Sequence, residues 1–229
     1  MVTGAGSGIG RAVAVLAGAV GLRVAAWDVV PEALDRTVAE LVAGGGDVVG
    51  VVADVSDRDA VEAGFDASGP ARYLVNNAGP SSAGAIEFDR GLALTAGSVQ
   101  LVTDAWLRRE PPAGSALVNI ASVAGNFVGT DSAWYSAGKA AIAGYTRHLA
   151  TRAAPGVRAN AIAPGLIDTP RMAGFAETEL GRSLIARNPM GRAGRAEDVA
   201  AAVLFLLCPL ADYVNGVLLP VDGGWTVTQ

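Results

Sequence analysis

Short apolar runs alternate along this chain with longer stretches of helical periodicity, and that alternation constrains the fold more than any other feature. Arg23 to Trp27, Val48 to Val52, Tyr73 to Val75, Ala116 to Ile120, Arg158 to Ala161 and Gly216 to Val221 read as strands. Arg11 to Gly18, Pro31 to Val42, Asp57 to Ala67, Arg90 to Leu107, Trp134 to Ala153 and Ala196 to Leu207 read as helices. Strands joined through helices run parallel, and a parallel sheet needs both faces covered. The expected fold is therefore α/β, a doubly wound parallel sheet flanked by helices on both faces. With 229 residues, 51% of them hydrophobic, the chain suits one domain over 1–229, and it shows no repeat, low-complexity tract or long linker. Pro31 suits the first turn of the second helix, and Ser56 with Asp57 suits the start of the third. Pro220 would cost a ladder hydrogen bond in a sheet centre, which puts the last strand at an edge.

Charge narrows the partners. A formal net charge of −5, with the arginines dispersed apart from Arg108 and Arg109, offers no footprint for nucleic acid or anionic lipid. The longest apolar run, Val199 to Leu207, is short of the roughly 20 residues that cross a bilayer, and Pro209 ends it. The lone cysteine, Cys208, is expected to be a buried small hydrophobe. The start of the chain has no basic segment followed by an apolar one, so the expected compartment is the cytoplasm.

Three features carry chemistry. Thr3-Gly4-Ala5-Gly6-Ser7-Gly8-Ile9-Gly10 is a glycine-rich turn leading into a helix, where bare backbone can approach a pyrophosphate and amides at a helix N-terminus can meet its charge. Asp28 follows Gly10 by 18 positions and closes a strand, where a carboxylate can bind an adenosine ribose. Tyr135 and Lys139 share a helix face at i and i+4, and an adjacent ammonium is expected to lower the phenol's pKa from its usual value near 10. Lys139 is the only lysine in the chain, so a compact ammonium is used where a guanidinium would not serve. Ser122 follows the strand Ala116 to Ile120, at the strand end where ligands bind in open α/β sheets.

These residues, together with Asp54-Val55, Asn76-Asn77-Ala78-Gly79, Pro164-Gly165, Thr169 and Val221-Asp222-Gly223-Gly224, resemble the short-chain dehydrogenase/reductase family across the whole chain. The resemblance implies a Rossmann-type fold and NAD-dependent hydride transfer between nicotinamide and a small carbonyl or secondary alcohol substrate. It implies that Gly4, Ser7, Gly8, Ile9 and Gly10 meet the pyrophosphate, Asp28 the adenosine ribose, and Asp54 with Val55 the adenine. Asn77, Ala78 and Gly79 line the nucleotide groove, and Pro164, Gly165, Ile167 and Thr169 hold the nicotinamide end. Tyr135 becomes the general acid or base, Ser122 polarises the substrate oxygen, and Lys139 holds the ribose hydroxyls and tunes the tyrosine. Asp28 favours NAD over NADP, because it repels a 2′-phosphate, and Ser7 stands where phosphate-binding relatives often place a basic residue.

The chain also departs from the family pattern. Thr95 stands where an asparagine is usual in the proton relay, the segment between Gly79 and that helix is short, and the first strand is reduced to Met1-Val2-Thr3. A truncated start or a short central strand accounts for the last. The rival reading is a family-fold protein that binds NAD with little turnover, acting as a sensor or assembly partner. Asn126, Phe127, Trp134 and Met172 are equally suited to a pocket rim or to core and loop roles, and His148 has no metal-ligand spacing around it. The stretch 169–190, with Pro170, Gly174, Gly181 and Pro189, reads as a substrate lid. A homotetramer, or a homodimer, is implied by resemblance through the helices Arg90 to Leu107 and Trp134 to Ala153.

Overall fold

The computed structural model describes residues 1–229 except 83, 154, 155 and 229. Strands β1 (Val2–Thr3), β2 (Val24–Asp28), β3 (Val48–Val52), β4 (Tyr73–Asn76), β5 (Ala116–Ile120), β6 (Arg158–Pro164) and β9 (Leu218–Val221) form one sheet in the order β3-β2-β1-β4-β5-β6-β9. Every neighbouring pair in it is parallel. A separate parallel pair joins β7 (Ile167–Asp168) to β8 (Gly194–Arg195). β9, carrying Pro220, lies at the sheet edge as its proline requires. The chain winds from β1 outward to β3, returns to β4 on the other side and continues to β9, so a topological switch point lies between β1 and β4.

The helices cover both faces. α1 (Gly8–Ala19), α2 (Pro31–Ala43) and α8 (Ala196–Leu207) bury Val13, Leu34, Val199, Val203 and Leu206 against one side. α3 (Arg58–Ser68), α5 (Ser98–Leu107) and α6 (Ala133–Arg152) bury Phe65, Trp106 and Leu149 against the other. α3 starts at its cap because Asp57 accepts hydrogen bonds from the amides of Asp59 and Ala60 at 2.8 and 3.2 Å. α8 stops before Pro209, where buried Arg158 donates to the carbonyls of Leu206 and Cys208 at 2.8 and 3.2 Å and so satisfies the helix end. Cys208 is only half-buried there, because it caps the helix instead of filling the core.

Two helices differ from their sequence patterns. α1 begins at Gly8 instead of Arg11, which brings the glycines into its first turn. The expected helix Arg90 to Leu107 is three pieces: α4 (Phe88–Leu92), a π-helical turn over Ala93–Gly97, and α5. Between β7 and β8 the chain leaves the sheet for short 3₁₀ turns at Pro170–Met172 and Phe175–Glu177 and for α7 (Glu179–Ala186).

Candidate active site

The C-terminal ends of β1 to β6 open into a cavity of about 510 Å³. It runs from Asp28 and Asp54 past the glycine turn to Ser122, Tyr135 and Lys139. Gly4, Ser7, Gly8 and Ile9, Val55, Asn77, Ala78 and Gly79, and Pro164, Gly165, Ile167 and Thr169 also line it. Gly10 and Thr95 are not among the residues that line it. Gly10 lies behind the turn because only a bare Cα fits there: a Cβ would stand 2.0 Å from the Gly4 carbonyl oxygen.

Polar contacts shape the glycine turn. The Thr3 hydroxyl accepts from the amides of Asn77 and Ala78 at 3.0 and 3.1 Å, locking β1 to the loop after β4. Asn77 Nδ2 donates to the carbonyls of Thr3 and Gly4 at 3.0 and 3.1 Å, so this residue braces the turn as well as lining the cavity. Asp28 Oδ2 accepts from the Gly6 amide at 2.8 Å and Oδ1 from the Val30 amide at 2.9 Å, which fixes the carboxylate against the turn. The Ser56 amide and hydroxyl donate to Asp54 at 2.8 and 2.7 Å and hold its carboxyl below the usual range. No side chain caps α1 at Ser7, so its first amides face the cavity. A long groove, acidic at one end and lined midway by bare backbone and helix amides, fits a dinucleotide.

At the other end the Ser122 hydroxyl accepts from the Ala124 amide at 3.1 Å, and it lies near enough to the Tyr135 phenol to pull its pKa down. Lys139 is buried, and Nζ donates to the Ile120 carbonyl at 2.8 Å while lying 5.7 Å from the centre of the Tyr135 ring. Burial, followed by the positive charge of Arg171, pushes its pKa down to about 8. The Tyr135 pKa is raised, against the expected lowering by the ammonium: burial raises it, and the opposing pull comes from the Ser122 hydroxyl and the charge of Arg171.

Thr95 sits one layer back. Its buried hydroxyl donates to the Gly91 carbonyl at 2.7 Å within the π turn, and a Cβ on Gly138 would stand 2.1 Å from that oxygen. The turn of α6 between Tyr135 and Lys139 therefore packs directly on Thr95. Of the residues left open between rim and core, Met172 lines the cavity. Trp134 is buried beside Gly91 and Phe127 is exposed. Asn126 Nδ2 donates to the carbonyls of Ser122 and Lys139 at 2.8 and 3.2 Å, tying the serine loop to α6. His148 is exposed and stacks on Tyr145. Sequence reasoning missed Leu94 and Arg171, both in the cavity wall. Neither stands at a spacing that marks it; the signals for Arg171 were its place two residues after Thr169 and inside the expected lid 169–190.

A family model described as Enoyl-(Acyl carrier protein) reductase matches residues 4–226. Cis-4-hydroxycyclohexanecarboxylate dehydrogenase of Sinomonas cyclohexanicum is 40% identical, over 99% of this chain and 95% of its own length. The crystal structure of levodione reductase matches with a TM-score of 0.88 at 35% identity, covering 99% of this chain and 96% of that one. An Agrobacterium tumefaciens structure with bound NADP, provisionally a 2-deoxy-d-gluconate 3-dehydrogenase, matches with a TM-score of 0.86 at 34% identity, covering 99% of this chain and 95% of that one.

Proposed function

Because this chain belongs to the short-chain dehydrogenase/reductase family, and so is a hydride-transferring oxidoreductase of alcohols and ketones, we propose that it works with NAD and places the proton chemistry on Tyr135. The observation that carries this reading is the convergence of Ser122, Tyr135 and Lys139 on the cavity that the glycine turn also lines. Bound NAD would accept or deliver the hydride. In the oxidative direction the Tyr135 oxygen takes the proton of the substrate hydroxyl while the Ser122 hydroxyl donates to the same substrate oxygen; in reduction the proton returns. Lys139 spends one of its three N–H donors on Ile120, leaving two for the ribose hydroxyls. The relatives are named for turnover, which does not favour a binding-only sensor.

The choice of NAD over NADP rests on Asp28, whose carboxylate is pinned at the β2 end of the cavity. A 2′-phosphate placed there meets like charge, at a cost of several kcal/mol. The cations lining the cavity, Lys139 and Arg171, belong to its other end. The bound NADP of the Agrobacterium tumefaciens relative makes this a choice to be tested in each protein. Catalytic efficiency with NAD should exceed that with NADP on a panel of secondary alcohols followed by NADH absorbance; the reverse order would remove Asp28 from its role. Tyr135→Phe should lower turnover by about a hundredfold or more with NADH affinity kept. Near-native turnover in that variant would move the proton chemistry elsewhere. The segment 169–190 serves as the substrate lid in this reading. The assembly is a homotetramer, or at least a homodimer, joined through α4–α5 and α6, and its compartment is the cytoplasm. No helix among the described residues is long and apolar enough to cross a membrane.

A further inference from the structure

One cation at the reacting end of the cavity has no part in the chemistry above. Arg171 lies on the 3₁₀ turn Pro170–Met172, and its guanidinium reaches across the cleft to the loop after β4. Nη2 donates to the Gly79 carbonyl at 2.9 Å and Nη1 to the Pro80 carbonyl at 3.4 Å. Both acceptors are neutral, and no ion pair among the described residues includes Arg171. The carboxylates that line the cavity, Asp28 and Asp54, belong to the β2 and β3 ends, away from it. Arg171 nevertheless lines the same cavity as Tyr135 and Lys139, and its charge pulls the pKa of both down.

A guanidinium has five N–H donors in a planar fork suited to a carboxylate. The two bonds to Gly79 and Pro80 fix that plane and leave further donors for a ligand. Leu94, Pro80 and Met172 give this part of the lining apolar surface, beside the hydroxyl-bearing Ser82. The reacting end thus pairs a proton-transfer centre with apolar surface and an un-neutralised cation.

Resting on the dehydrogenase reading, we propose that Arg171 anchors a carboxylate of the substrate, so that the enzyme takes hydroxy acids, or the matching keto acids, whose carbinol carbon and carboxylate are separated by an apolar skeleton. In oxidation the carbinol C–H bond breaks and its hydride goes to NAD, the O–H proton goes to Tyr135, and a ketone forms with the carboxylate unchanged. The charge of the carboxylate selects and orients the molecule without entering the reaction.

The test measures binding of cyclohexanecarboxylate and of the uncharged cyclohexanecarboxamide to the enzyme–NADH complex by calorimetry, in the native protein, Arg171→Gln and Arg171→Lys. The native complex should prefer the carboxylate by about tenfold or more, Arg171→Gln should erase the preference, and Arg171→Lys should keep part of it. A native complex that binds no carboxylate or shows no preference overturns the proposal, as does a glutamine variant that retains it. The affinity for NADH, measured alone, separates the sources of anionic charge: a loss there in Arg171→Gln assigns the arginine to the cofactor diphosphate and also overturns the proposal. If the variant weakens both ring compounds equally, Arg171 is a clasp between the turn and the β4 loop only. Failure of the underlying dehydrogenase reading shows separately, as no NADH formation by the native enzyme on any secondary alcohol.

Discussion

The nucleotide end of the cavity is walled by buried and half-buried groups pinned to one another, with Thr3, Asn77 and the Gly4 carbonyl joined by hydrogen bonds of 3.0 to 3.1 Å, whereas at the substrate end the stretch from Pro170 to Ala186 is mostly exposed. That stretch lies between β7 and β8, which pair with each other outside the main sheet, and it meets the opposite wall through Arg171. The first wall serves a ligand of constant chemistry and has no freedom to lose. The second can change its side chains with little cost to the core, which is where specificity between substrates can vary.

The same substitution placed in both regions gives the largest expected contrast. In Gly10→Ala the new Cβ stands 2.0 Å from the Gly4 oxygen and 2.4 Å from Asn77 Nδ2, so the turn must open. NADH affinity should fall by about tenfold to a hundredfold, the 1–3 kcal/mol usual for overpacking, with a lowered Tm. Gly174 has φ +76° and nothing within 4 Å of a new Cβ, so Gly174→Ala costs only left-handed strain of about 1 kcal/mol and should leave NADH affinity alone. Equal losses of NADH affinity in the two variants, read by fluorescence titration, would break the contrast.

The same contrast separates what the sequence reveals from what it hides. The parallel sheet was legible because Val48–Val52 and Ala116–Ile120, the latter broken only by Asn119, are short apolar runs between helical periods, a local pattern with one stable solution. The glycine turn, Asp28 and the Tyr135–Lys139 pair were legible because their spacing is itself the geometry. The three extra N-terminal residues of α1 were not, since Gly8 and Gly10 have poor helix propensity and are tolerated only because a Cβ at Gly10 has no room. The π turn over Ala93–Gly97 was hidden because no local period marks it and its tightest packing partner, Gly138 against Thr95, lies 43 residues away. Arg171 was hidden because a single arginine in an exposed segment has no period, and its meaning comes from two carbonyls about 90 residues earlier in the chain.

An intermediate effect is expected where the two regions meet, at Lys139. An unfolded chain titrates this lysine at its ordinary 10.5, and the folded protein at about 8, so between those values the unfolded state holds more protons. Stability from this group therefore rises with pH across that window and is constant below it, where both states are protonated. Urea unfolding of the native protein and of Lys139→Met should show the native protein gaining on the variant by about 1–2 kcal/mol between pH 8 and 10. Arg171→Gln should move the window upward, because the charge of Arg171 is the second cause of the shift, while Gly174→Ala should leave it in place. A native-minus-variant difference that does not change with pH would remove the buried ammonium from the site.

The smallest effect is expected at Thr95, which belongs to neither wall yet positions the helix carrying Tyr135 and Lys139. In the family pattern an asparagine here is thought to secure a helix irregularity and free a backbone carbonyl for a water beside the lysine. The irregularity is present with threonine: the hydroxyl donates to the Gly91 carbonyl at 2.7 Å and the backbone forms a π turn. Threonine has one donor, so the second N–H and the carbonyl acceptor of an amide are missing from this spot. Thr95→Asn should raise turnover by about threefold, the kinetic equivalent of one modest hydrogen bond, without altering NADH affinity. The gain should be greatest at the pH where proton release is slowest, so turnover is measured across pH for both forms. A side chain pressed against Gly138 leaves little room, and this makes the opposite result informative. If Thr95→Asn lowers turnover together with Tm, the π turn is already built around threonine and the native relay is the one this chain uses.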